Sequence, residues 1–139
     1  MKITQQWNQE DSDYIRKKVI EYNLSKMPDE TIHPVKNTSF ILRGEDGSIL
    51  GGIIGKISSS LIVDYLWVDE SLRGKGYGKE LLKRIEEMAR ENHCRLVQLF
   101  SFSFQAPDFY QKNGYEIVGV VQENPTKEHQ QYYLMKRLS

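Results

Sequence analysis

The stretch Leu61-Ile62-Val63-Asp64-Tyr65-Leu66-Trp67-Val68, followed closely by Arg73-Gly74-Lys75-Gly76-Tyr77-Gly78-Lys79, decides the fold. Its first part is short and almost continuously apolar, the pattern of a strand buried on both faces. Beyond it, Tyr77, Leu81, Leu82, Ile85, Met88 and Ala89 recur at helical spacing with Lys, Arg and Glu between them. That periodicity predicts an amphipathic helix over 77–91. A strand, a glycine-rich turn and a helix start together make an anion site. Glycine lets backbone approach the ligand, and free amides with the helix dipole favour phosphate. A phosphorylated cofactor is expected there.

Spacing narrows the choice. The nucleotide P-loop needs Gly-Lys followed by Ser or Thr, but Gly78-Lys79 is followed by Glu80. The dinucleotide fingerprint would need a glycine at 79, where this chain has Lys. What matches is Arg/Gln-x-x-Gly-x-Gly/Ala, read as Arg73-Gly74-Lys75-Gly76-Tyr77-Gly78. This resembles the acetyl-coenzyme A pyrophosphate loop of the GNAT superfamily of N-acetyltransferases. Leu66-Trp67-Val68-Asp69-Glu70-Ser71-Leu72 resembles that family's strand end. The competing reading of the loop is a glycine turn with solvated lysines.

A second signature follows one helix later. Arg95-Leu96-Val97-Gln98-Leu99-Phe100 reads as another buried strand, and Ser101 to Tyr115 resembles the family's short helix carrying Ala-x-x-x-Tyr, then Lys-x-Gly-aromatic. Ala106, Tyr110, Lys112, Gly114 and Tyr115 fall in place. Ser103 stands where many members have Asn, which shortens any reach toward a pantetheine arm. The resemblance covers roughly residues 38–138.

Composition agrees with one domain over 1–139, long enough for a hydrophobic core without disulfides. The 19 basic and 19 acidic residues cancel, so no broad field steers the chain to nucleic acid or an anionic membrane. Positive charge is local instead, at Arg73, Lys75, Lys79, Lys83 and Arg84. Lys83 and Arg84 suit a solvated helix face equally well, which leaves Arg73, Lys75 and Lys79 as phosphate candidates. The single Cys94 implies no disulfide and reads as a small buried hydrophobe. No run approaches membrane-spanning length and the N-terminus lacks an apolar core, so a soluble, cytoplasmic protein is expected. His33, His93 and His129 are far apart with no ligand cluster, so no metal is expected.

Outward from the centre, Lys2–Gln6 reads as a short first strand and 12–26 as a helix capped by Asp11, Ser12 or Asp13. Pro28 and Pro34 mark 27–37 as irregular. Residues 40–42 and 49–57 read as strands about the turn Glu45-Asp46-Gly47. Strands at 61–68, 95–101, 115–121 and 132–138 and helices at 77–91 and 106–113 complete an α/β (α+β mixed sheet) domain. The resemblance implies a GNAT-type fold, a central mixed sheet of about six to seven strands flanked by helices, with splayed central parallel strands.

The resemblance further implies that acetyl-coenzyme A binds as cosubstrate through the backbone of Leu66, Trp67 and Val68, the loop Arg73, Gly74, Lys75, Gly76, Tyr77, Gly78 and Lys79, and Ser103 and Ala106. One strand amide would polarise the thioester carbonyl. Trp67's side chain reads as pocket wall or as core. Tyr110 sits where many members carry the acid that protonates the leaving thiolate; its other reading is a core aromatic beside Phe109. For the base, an ordered water ranks ahead of His129, then Asp64. The leading function is direct acetyl transfer, through a tetrahedral intermediate, to a primary amine on a small molecule. A protein lysine or N-terminal acetyltransferase and a non-catalytic coenzyme A module are the alternatives, and a homodimer is left open. The acceptor depends on loops 22–37 and 122–131, which carry no recognisable code.

Overall fold

Two strands in the middle of the chain part company soon after they meet. β3 (Leu61–Val68) and β4 (Leu96–Phe102) run parallel and pair only at Leu61↔Val97 and Ile62↔Gln98. Beyond Ile62 they splay. The cause is visible in the partner on the other side, β2 (Ile49–Ile57), which pairs Ile54 with Tyr65 but Gly55 with Val63. Asp64 is thus an extra residue, a bulge that bends β3 and re-aims its end. Gly55 is needed opposite the bend, because a Cβ there would stand 2.5 Å from the carbonyl oxygen of Ile62.

The computed structural model of the chain describes residues 1–27 and 33–138. It contains α1 (Gln9–Leu24), β1 (Lys36–Arg43), β2, β3, a short 3-10 turn (Glu70–Leu72), α2 (Tyr77–Glu91), β4, α3 (Pro107–Lys112), β5 (Glu116–Gln122) and β6 (Gln130–Arg137). The strands form one six-stranded mixed sheet in the order β1-β2-β3-β4-β6-β5. Every pair but β3–β4 is antiparallel. By contacts the chain falls into two units, Met1–His33 and Pro34–Ser139.

In the larger unit, α2 buries Leu81, Leu82, Ile85 and Ala89 against Ile53, Leu61, Val63, Val97, Leu99 and Leu134 of the sheet. This is the apolar stripe that the sequence predicts. The central strand is not buried on both faces, however: Tyr65 is 72% and Trp67 48% exposed. Its apolar run combines a core-facing row with an outward aromatic row. In the smaller unit, α1 begins at Gln9 rather than 12, capped by Asn8, whose side chain accepts from the Asp11 amide. The expected strand at Lys2–Gln6 pairs with nothing and is irregular, since a strand without a partner leaves its backbone groups unmade. Of the connection expected to be irregular over 27–37, residues 28–32, Pro28 among them, lie outside the described residues, and Lys36 and Asn37 already belong to β1. Among the described residues, no helix is long and apolar enough to cross a membrane.

Candidate active site

The gap between β3 and β4 opens into a cleft of about 730 Å³. Leu66, Trp67, Val68, Arg73, Gly74, Gly76, Tyr77, Gly78, Lys79, Ala106 and Tyr110 all line it, brought together from three separate stretches of the chain. Lys75 and Ser103 are not on its wall.

Backbone direction settles which part of the β3 end faces the gap. The amide of Asp69 donates to Leu50 O at 2.8 Å, while Val68 stands opposite Gly51. In an antiparallel ladder that makes Gly51–Val68 a non-hydrogen-bonded pair, so Val68 and Leu66 turn their N–H and C=O away from β2 and toward β4. There they meet no strand, because β4 has already diverged. Trp67 does the reverse: its backbone faces β2, and it reaches the cleft through its ring.

The loop after β3 follows from its glycines. Gly74 and Gly76 have φ of 76° and 88°, a left-handed conformation that a side chain resists. Gly76 is the N-cap of α2 and supplies no side-chain cap. Gly78 lies inside the helix without such an angle; a Cβ there would touch Phe109 at 3.5 Å. Among the described residues, the amides from Gly74 through Lys79 find no acceptor in the protein. A Cβ at Gly74 or Gly76 would meet nothing within 4 Å, so both glycines border open space. Free amides, a helix start and Lys79 together fit a pyrophosphate. Arg73 is partly committed, since its Nε donates to Val68 O at 3.1 Å and ties the loop to the strand end.

Across the cleft, Pro107 starts α3 at a position where its missing N–H costs nothing. One turn on, Tyr110 packs edge-on against Phe109 and Tyr115, with ring centroids at 5.3 and 5.8 Å. Burial raises its phenol to about 12. The hydroxyl therefore stays protonated at neutral pH, and among the described residues no protein group occupies it. It can donate a proton.

The other candidates have structural partners. Asp64 lines the cleft, but its carboxylate accepts from Lys56 Nζ at 2.7 Å. Ser103 closes the β4–β6 connection: its amide donates to Gln130 O, its Oγ accepts from the Gln130 amide, and it lies 3.3 Å from His129 Nδ1. His129 stands edge-on to Phe104 at 4.8 Å. His93, at φ 63°, follows the end of α2, and Cys94 is buried with its thiol raised by desolvation. Sequence reasoning did not single out Tyr65, Phe100 and Phe104, which also line the cleft. A signal was there for Phe100, which alternates with Phe102 as residues on one strand face do; Phe104 lies in the turn after β4.

The family model described as an acetyltransferase (GNAT) domain matches residues 36–117, and the chain belongs to that family. It is 36% identical over 104 residues to the blasticidin-S acetyltransferase of Streptomyces morookaense, covering 73% of this chain and 76% of that one. It is 28% identical over 106 residues to the acetyltransferase Atu2258 of Agrobacterium fabrum, covering 76% and 75%. A crystal structure of an acetyltransferase from Bacillus cereus is 45% identical and superposes with a TM-score of 0.89 over 98% of this chain and 97% of that one. The protein is an N-acetyltransferase.

Proposed function

We propose that this enzyme moves an acetyl group from acetyl-coenzyme A directly to a primary amine on a small molecule. The observation that carries this reading is the backbone edge of Leu66 and Val68, which no strand pairs and where only the Val68 carbonyl is taken, by Arg73, opening onto the same cleft as the Tyr110 phenol. When bound, the thioester supplies an activated acetyl carbonyl and a thiolate leaving group. The amides of Gly74–Lys79, with Lys79 and the free part of the Arg73 guanidinium, hold the pyrophosphate. The Leu66 and Val68 amides orient the pantetheine arm, and one of them polarises the carbonyl. Tyr110 holds a proton at its hydroxyl for the departing sulfur. Ala106 lines the cleft; Lys75 contributes charge from outside the wall, and Ser103 shapes the rim through Gln130 and His129.

With Asp64 paired to Lys56 and His129 off the cleft wall, water takes the amine proton. A small-molecule acceptor is supported by the relative that is named for acetylating blasticidin-S. In this reading residues 1–139 act as one domain in the cytoplasm, and a homodimer stays open. Release of coenzyme A thiol, followed across a panel of primary amines, tests it. Amine-dependent release with acetylated product is expected. No release with any amine, in a protein that calorimetry shows to bind acetyl-coenzyme A, would contradict it.

A further inference from the structure

The cleft that serves transfer must also receive the acceptor, and one side of it is aromatic. Tyr65 and Trp67 come from β3, and Phe100 and Phe104 from β4 and the turn after it. Side chains alternate along a strand, so Tyr65 and Trp67 lie on the face opposite Leu66 and Val68, which pack on the core. Phe100 likewise alternates with the buried Leu99 and Ser101. The β4 side is preformed: Phe100 meets Phe102 edge-on at 5.4 Å, and Phe102 stacks on Phe104 at 5.5 Å with 14° between planes. Phe100 is braced by Tyr133 at 6.2 Å. Among the described residues no ring pair joins Tyr65 or Trp67 to this ladder, so the two walls stand apart.

Charge does not select the acceptor here. Asp64 is the one carboxylate on the cleft wall among the described residues, and Lys56 already neutralises it at 2.7 Å. Apart from Ser101 and Gln105, what remains on this side to recognise a ligand is ring faces. Aromatic faces add offset or edge-to-face attraction for another ring beyond the area buried, which saturated groups do not receive. We infer that the acceptor amine carries a planar conjugated ring, held between Tyr65 and Trp67 on one side and Phe100 and Phe104 on the other. The inference rests on the acetyl-transfer reading for the identity of that ligand as acceptor.

Calorimetric titration of the coenzyme A-bound protein with 2-phenylethylamine and 2-cyclohexylethylamine tests it. The two amines match in length and are both ammonium ions at neutral pH, and the saturated ring is the more hydrophobic. An indifferent apolar slot would prefer the cyclohexyl compound. The aromatic walls should prefer the phenyl compound by about fivefold, the scale of one ring–ring contact. Tyr65→Leu and Phe100→Leu should each cut that preference to below about twofold while keeping apolar bulk. Phe104→Leu, at a 57% exposed position, provides the same comparison if Phe100→Leu does not fold. Equal or reversed affinities, no binding of either amine, or a preference that survives in these variants would overturn the inference. Thiol release with the same two amines is read separately. Absence of turnover with the binding preference intact counts against acetyl transfer and leaves the aromatic walls standing.

Discussion

The hydroxyl of Tyr115 donates to Glu86 Oε2 at 2.7 Å, with both residues only 4% exposed. The other carboxylate oxygen of Glu86 accepts from Lys136 Nζ at 3.0 Å, which also donates to Asn113 O at 3.0 Å. One buried carboxylate thus ties α2, the turn after α3 and β6 together. Tyr115 passes the constraint on, since its amide donates to Tyr110 O at 3.0 Å and its ring abuts that of Tyr110. The phenol facing the cleft is positioned by a network on its far side.

Glu86→Ala should therefore be costly, about 2–3 kcal/mol, because it strips the acceptor from the buried Tyr115 hydroxyl and the carboxylate from Lys136, which is partly exposed and keeps Asn113 O. Tyr115→Phe leaves Glu86 its Lys136 partner and should cost about 1–3 kcal/mol. Urea unfolding measures both. Losses below about 0.5 kcal/mol in both variants would mean the network is slack.

Alkaline pH should weaken the fold through the same two tyrosines. Burial raises Tyr110 from 10.0 to about 12, and burial with the Glu86 bond and charge also raises Tyr115. Folded-state values above the unfolded ones mean their contribution is fully present below pH 10 and is lost as pH rises beyond it. Between pH 10 and about 12 unfolded phenols ionise while the folded ones stay mostly protonated. Stability measured from about pH 9 to 12 should fall more steeply in the wild type than in Tyr110→Phe/Tyr115→Phe. Parallel curves would contradict this.

The glycines of the loop should separate by backbone angle. Gly76→Val forces a branched side chain onto φ 88° at the helix cap and projects it into the open space, so acetyl-coenzyme A affinity should fall more than about tenfold. Gly78→Ala meets only ordinary contact with Phe109 and should leave stability within about 0.5 kcal/mol. Lys79→Ala should weaken binding by about 1–2 kcal/mol, less at high salt, where exposed charge is screened. Calorimetric titration at two ionic strengths reads the two affinities, and urea unfolding reads Gly78→Ala. A Gly76→Val variant that binds like wild type would remove the loop from the phosphate site.

Much of this was legible in residue order. Local periodicity sets 77–91 as a helix and 49–57 and 61–68 as strands, because those patterns match the layer they pack in. Glycine spacing shows where the loop lies, but not which glycines bend: Gly74 and Gly76 do, Gly78 does not. The Asp64 bulge is invisible in sequence, since it exists only in the pairing of Ile54 with Tyr65. That bulge decides which side of β3 faces the cleft, so the aromatic row of Tyr65 and Trp67 reads as core in a linear pattern. Ser103 and His129 look like site residues by position, yet a long-range contact joins them to each other.

Replacing Tyr110 by Phe tests the central claim most directly, because the ring and its contacts with Phe109 and Tyr115 remain and only the hydroxyl goes. With an amine found active in the thiol-release panel, kcat should drop by roughly 10²-fold while the Kd for acetyl-coenzyme A is unchanged. Turnover at the wild-type rate, with acetyl transfer shown to be rate-limiting, would contradict a proton-donating role for Tyr110.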